Sequence, residues 1–465
     1  MIDYQNEDYQ THVFTSTYTA DVSGVCSAMY ELGGMTVLHD PSGCNSTYST
    51  HDEPRWFDTD SLMFVSGLDE MTAVLGDDNV LVEDVAHAAA DLKPRFITLC
   101  GGSIPHIIAF DYKGVARLIE KRTGIPTIPV VTNGNRAYTT GVGAALTAWV
   151  KRFGNPKEAP DWSDNPAFSF NLLGVTPLDF SVNGNVEALR GLFAEKVISA
   201  DSTNNNVNNN IHHDSCTTKG ENVSASASDE DPYLNCCAAM GEDFESLCHI
   251  YRGAVNIVVS SSGRRLARYM EQIAGTPWIE GAPVGAEMTS KLQALALETH
   301  RRKSVANQQE ASPKDSVHNL GSAGSAEKNT MISNDATLPQ NIWGINPEHD
   351  RWDLPDGQIL VIGEEIFAQS LAAAINVLDS EARHGLQAYA IWPDPDRGFP
   401  EKTLAKLIRK SRCIIADPLY RTVPHDEAKN TFILFPHEAY SGRIFRNEIP
   451  KFVGPDFDVA DLLRF

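Results

Sequence analysis

From Phe64 onward the chain repeats one pattern: a short run of β-branched and aliphatic residues, a turn, an amphipathic stretch, and another apolar run. Continuous apolar runs of strand length are buried on both faces, and helical stretches between them act as crossovers, so the pattern predicts a parallel α/β protein. In the first region Val80-Leu81-Val82 reads as an apolar run leading into a helix over 83–92, with Val85, Ala88, Ala89 and Leu92 at helical spacing. A strand over 95–99 then delivers Cys100 to a loop at its carboxyl end. A helix over 111–121 follows, closed by Thr123-Gly124-Ile125-Pro126 before a strand over 127–131.

A second unit opens at Phe168-Ser169-Phe170-Asn171-Leu172-Leu173-Gly174, continues through a helix near 185–193, and resumes at Ala254-Val255-Asn256-Ile257-Val258-Val259. Its closing elements are a helix over 264–274 and an exit at Gly275-Thr276-Pro277-Trp278-Ile279. A third unit begins at Gln358-Ile359-Leu360-Val361-Ile362-Gly363, with a helix near 367–378 and strands around 386–392, 413–416 and 432–435. The expected architecture is therefore α/β, three Rossmann-like domains of parallel sheet flanked by helices. The predicted boundaries are 1–155, 156–300 with a polar insertion at 201–231, a flexible linker at 301–342, and 343–465. The insertion includes Asn204-Asn205-Asn206-Val207-Asn208-Asn209-Asn210 and has too little apolar surface to order itself. The linker is similarly polar and follows a helix expected over 287–300.

A length of 465 residues fits roughly three domains. The net charge of −23, from 61 acids against 38 bases, argues against a nucleic-acid or anionic-membrane partner. No apolar run approaches the ~20 residues a membrane span needs, and the acidic start Asp3, Glu7, Asp8 is unlike a secretory leader, so a cytoplasmic protein is expected. Eight cysteines in so long a chain are no disulfide framework, which fits a reducing compartment.

Three of those cysteines carry the strongest chemical signal. Cys26, Cys44 and Cys100 each sit where an apolar stretch gives way to small residues: Gly24-Val25-Cys26, Pro41-Ser42-Gly43-Cys44, and Leu99-Cys100-Gly101-Gly102. Thiolates are the soft anionic ligands that iron–sulfur clusters require, and glycine beside them lets backbone approach cluster sulfur. Buried cysteine is equally a small core residue, and the three would meet only if the fold gathers three strand ends. Cys216, Cys236, Cys237 and Cys248 near His212 and His213 lack zinc spacing. Cys413 reads as a buried strand residue, and His437 and Glu438 follow a strand, where capping or surface roles are expected over a substrate pocket.

These contexts, with His39-Asp40-Pro41-Ser42-Gly43-Cys44 at the second cysteine and Ile104-Pro105 and Asp111 after the third, resemble the N-terminal half of the nitrogenase component 1 family. Ser66-Gly67-Leu68-Asp69-Glu70, Gly134-Asn135-Arg136 and Gly275-Thr276-Pro277-Trp278 extend the likeness. The resemblance implies that Cys26, Cys44 and Cys100 bind an iron–sulfur cluster, of 4Fe-4S or P-cluster-like type, at an interface with a homologous component 1 subunit in a homo- or hetero-oligomer. It further implies an oxidoreductase fed by a separate ATP-dependent iron–sulfur reductase, in keeping with the lack of any phosphate-binding loop here.

The departures narrow this expectation. Where the nitrogenase catalytic subunit has a cofactor-binding cysteine, this chain has Val259-Ser260-Ser261-Ser262-Gly263, and Ala144-Ala145-Leu146-Thr147 stands where histidines follow the segment matching Gly141-Val142-Gly143. Dinitrogen reduction is not expected. Asp40 replaces the family's usual glycine and offers either an oxygen ligand or a turn cap. A non-catalytic scaffold for cluster assembly, or a cluster-free α/β binding protein, are the competing readings.

Overall fold

Among the described residues three parallel sheets, of four, five and four strands in chain order, account for the apolar runs. The computed structural model describes residues 19–41, 53–194, 231–311, 340–343, 354–393 and 401–464. Its first unit runs α1 (Asp21–Met29), β1 (Met35–His39), β2 (Leu62–Val65), α2 (Glu70–Leu75), α3 (Asp78–Leu92), β3 (Ile97–Gly101), α4 (Ser103–Ile107), α5 (Tyr112–Thr123), β4 (Thr127–Pro129) and α6 (Tyr138–Phe153). Strand alternation divides the core. Met35, Val37, Ile97 and Leu99 pack with Val85 of α3 and Val115 of α5, whereas Leu38 and Cys100 join the core of α1 and α6.

The second unit contains β5 (Phe170–Leu173), α7 (Pro177–Phe180), α8 (Asn185–Arg190), β6 (Leu234–Ala238), α9 (Phe244–Cys248), β7 (Val255–Val258), α10 (Arg264–Ala274), β8 (Trp278–Glu280), α11 (Gly285–Ala311) and β9 (Gln340–Asn341). The third contains β10 (Ile359–Ile362), α12 (Glu365–Asn376), β11 (Ala388–Ile391), α13 (Glu401–Lys410), β12 (Cys413–Ala416), β13 (Thr431–Leu434) and α14 (Glu438–Phe445). Strand order is β2-β1-β3-β4, β6-β5-β7-β8-β9 and β11-β10-β12-β13. Each unit is thus wound alike: the second strand lies on one side of the first and the third on the other. The crevice where winding reverses, at the carboxyl ends of the first and third strands, is where such sheets place their ligands.

Several expectations change. Cys26 is not at a strand end but inside α1, and β1 had no counterpart in the sequence reading. Val80-Leu81-Val82 belongs to α3, because Asp77 caps that helix and Leu81, Val82, Val85 and Ala89 form one buried stripe. The expected linker is helical as far as Ala311, and Gln340 pairs with Ile279 in the second sheet. Residues 312–339, most of the insertion at 201–231, and Cys44 lie outside the described residues. Among the described residues no helix is long and apolar enough to cross a membrane.

Helix α1 is held against α6 backbone to backbone. A Cβ at Gly24 would stand 2.1 Å from the Tyr138 carbonyl oxygen, and one at Gly141 would stand 1.9 Å from that of Asp21. The Asp21 carboxylate, at the start of α1, accepts the backbone N–H groups of Asn133 and Gly134 at 2.9 Å each, tying the helix to the loop after β4. We predict that Gly141→Ala lowers stability by about 3 kcal/mol through overpacking against rigid backbone. Lys113→Ala, a surface change, should cost less than about 0.5 kcal/mol. Denaturant unfolding of the two variants checks this.

Candidate functional site

Cys26 and Cys100 come together because two periodicities agree. Cys100 lies on the face of β3 turned toward α1, and α1, seated by its glycine contact, presents Cys26 to that face. Both residues are fully buried, and their thiols share a hydrogen bond. That bond, burial, and the nearby Asp21 and Asp40 carboxylates push the Cys100 thiol well above its ordinary value. A thiol so placed is inert until a metal displaces its proton.

The surroundings are tightly ordered. Thr132 donates to the Gly101 carbonyl at 2.6 Å and accepts the Gly101 N–H at 3.0 Å. His39 Nδ1 lies 2.9 Å from Ser66 Oγ, which also accepts the backbone N–H of Asp40 at 3.2 Å. Burial lowers the His39 pKa to about 4 and keeps the imidazole neutral. Asp40 is buried beside this cluster, at the carboxyl end of β1. Tyr112, also buried, brings a hydroxyl with no hydrogen-bond partner to the same strand ends. Two neighbouring thiols and a third cysteine in sequence fit a sulfur-ligated group. Among the described residues no set of three or more His, Cys, Asp or Glu side chains is arranged to hold a metal ion, and Cys44 is not among them.

The helices that follow β2 and β3 expose apolar residues. The six-residue α2 buries none of its residues, and Met71, Val74 and Leu75 are exposed, as is Ile107 of α4. The two helices follow β2 and β3, the strands on either side of β1, so they emerge at the same edge as the thiols.

A second locus lies where the three units meet. The Asp179 carboxylate of α7 accepts hydrogen bonds from Tyr138 Oη (2.5 Å), Ser260 Oγ (2.9 Å), Thr176 Oγ1 (3.0 Å) and Ser262 Oγ (3.1 Å). Glu364, from the third unit, accepts the backbone N–H groups of Ser261 at 2.9 Å and Phe367 at 3.0 Å. His437 Nε2 lies 3.9 Å from Asp179 Oδ1. Because His437 Nδ1 accepts the N–H of Ala439, Nε2 carries the ring proton that faces Asp179. Burial, then repulsion from Glu364, raises the Asp179 pKa to about 7, and burial raises Glu364 as well. Burial also lowers His437 to about 4.

The expected surface position of His437 and Glu438 is corrected here, while the expected capping role holds for His437. Both are buried, and Glu438 accepts the Ser181 hydroxyl at 3.0 Å and pairs with Arg446. His437 does cap α14, while its other nitrogen faces the acid pair. Asp179 and Tyr138 carried no sequence signal beyond standing shortly after β5 and β4. Elsewhere Cys413 is the buried strand residue expected, and Cys236 and Cys237 are buried strand residues as well.

This architecture of three like-wound parallel units is that of a known class. The chain matches the profile of nitrogenase component 1 type oxidoreductases over residues 24–338, and it belongs to that family. Two solved structures of nitrogenase Cp1 share the fold at 12% identity. The one at pH 5 aligns with a TM-score of 0.55 over 98% of this chain and 89% of that one. The one at pH 6.5 gives 0.56 over 100% and 95%. No curated protein sequence matches the chain. Members of the family generally carry iron–sulfur clusters.

The acid centre has a pH signature. Between the ordinary aspartate pKa of 3.8 and the folded value of about 7, folded Asp179 retains a proton that the unfolded chain has released. Its contribution is complete below pH 3.8 and is lost as pH rises through 7. Asp179→Asn, which mimics the protonated acid, should flatten the fall in thermal midpoint between pH 5 and pH 7.5 relative to wild type.

Proposed function

We propose that this chain is an electron-transferring component 1 subunit in which Cys26, Cys44 and Cys100 hold an iron–sulfur cluster at an interface with a homologous subunit. The observation that carries the reading is the buried Cys26–Cys100 thiol pair at the winding reversal of the first sheet, in a chain of this family. When bound, the cluster would supply one-electron storage. The protein's part is to give up the thiol protons, exclude water, and hold the ligands on rigid elements: α1 by its glycine contact, β3 by Thr132. Asp40, buried at the end of β1, would add an oxygen ligand or cap its own backbone.

The apolar edge formed by α2 and α4 supports a protein partner there, since exposed apolar patches beside a site mark contact surfaces. Electrons would come from a separate ATP-dependent iron–sulfur reductase and pass toward the acid centre between the units. There Asp179 has a proton to give near neutral pH and His437 is neutral, a pairing suited to reductive proton delivery. With Ser260 and Ser262 already donating to Asp179, the loop offers no thiolate for a second metal group. Dinitrogen reduction therefore falls outside the proposal, and the same closed network also favours the scaffold reading.

The expected anaerobic preparation is brown, with iron and acid-labile sulfide. Cys100→Ala should lose the cluster absorbance while Cys413→Ala keeps it, and equal behaviour of the two would sink the site assignment. A colourless wild-type protein without iron would support the cluster-free reading instead. Turnover of any substrate with a reductase partner separates enzyme from scaffold. For the interface, Leu75→Asp should lower the native mass measured by gel filtration with light scattering; an unchanged mass would count against this edge.

A further inference from the structure

Arg55 is a charged side chain set in the interior, 4% exposed, and all three of its guanidinium nitrogens donate. It leaves the short turn Pro54–Phe57, whose preceding residue Glu53 accepts Nε at 2.7 Å and Nη2 at 2.9 Å. Nη1 donates to Glu31 at 2.8 Å, and the guanidinium lies over the Tyr30 ring at 4.7 Å. Apolar residues of similar volume often match or exceed a buried ion pair in stability, so stability alone does not account for this one. The direction of its remaining bond does.

Nη2 also donates to the Ser27 carbonyl at 2.7 Å and reaches the Ser27 hydroxyl at 3.3 Å. Ser27 directly follows Cys26 in the last turn of α1, where carbonyls lack helical amide partners and the dipole favours a cation. The glycine crossing sets how deep α1 lies, but a contact without side chains does not interlock and leaves the helix's rotation about its axis to other bonds. Asp21 supplies one at the first residue, and Arg55 supplies another one residue past Cys26. Successive helical residues stand about 100° apart, so a carbonyl pinned at Ser27 fixes the direction of the neighbouring thiol. Glu31 anchors the clamp on the second unit, since its other oxygen accepts the Gly241 amide at 2.6 Å. We propose that Arg55 is a positioning residue for Cys26, holding its thiol at the bearing toward Cys100 that a shared sulfur-ligated group requires. The inference rests on the cluster reading above. Lysine would keep the charge but lose the planar fork that holds Glu53, Glu31 and Ser27 together.

The test compares wild type with the paired change Glu53→Leu and Arg55→Met, and with Arg55→Lys, all purified anaerobically. It reads thermal midpoint, iron and sulfide content, electron paramagnetic resonance of the reduced protein, and the rate of iron removal by a ferrous chelator well below every midpoint. The paired change replaces both buried charges by apolar side chains, while Glu31, partly exposed, keeps the Gly241 amide. That variant should hold its midpoint near wild type and yet release iron roughly tenfold faster, with an altered resonance signal. If it holds its midpoint and both iron release and signal match wild type, Arg55 serves stability alone and the proposal is overturned. Should the paired variant fail to fold, Arg55→Lys decides by the same two readouts, faster release with an altered signal supporting the proposal and wild-type behaviour overturning it. If wild type itself holds no iron, the cluster reading fails first and takes the proposal with it.

Discussion

The contact of two helix backbones at Gly24 and Gly141 governs the placement of the first unit's chemistry. No side chain intervenes at that crossing, so α1 lies deeper against α6 than ordinary helix packing allows. Depth decides which residues meet. A helix one side-chain layer farther out would leave Cys26 short of the face of β3 that carries Cys100. The Asp21 carboxylate fixes the same helix along its axis, because both of its oxygens accept amides of the loop after β4.

Three repeats of one winding then create the centre of the molecule. Because each sheet reverses between its first and third strands, the loops after β5, β7 and β10 all arrive at crevices rather than on flat faces, and Asp179, Ser260–Ser262 and Glu364 come from those loops. Arg264 fixes the second and third units to each other, pairing with Glu280 at the end of β8 and with Glu365 at the start of α12. Two acids buried together would repel if both were ionised, so hydrogen-bond donors and retained protons are the condition for closing the units.

The sequence showed the repeating units and the cysteines because those signals are local. Apolar runs and turn residues mark strands within a few positions, and Cys413 read correctly as core for the same reason. Helix α1 was hidden: Asp21-Val22-Ser23-Gly24-Val25-Cys26 contains β-branched residues and a glycine that weigh against a helix, and tertiary contact overrides them. The residues 301–311 read as linker for the opposite reason, since polar composition conceals a helix that continues one already begun. Asp179 and Tyr138 were illegible because their meaning lies in partners from other units. His437 looked like a surface cap until Asp179, more than two hundred residues earlier, stood beside it.

Tyr138 belongs to both loci. Its carbonyl oxygen abuts α1 at Gly24, two residues before Cys26, and its hydroxyl is the shortest donor to Asp179. The backbone contact that seats α1 and the side-chain bond that closes the acid centre thus hang on one residue, so any displacement of Tyr138 is felt at both.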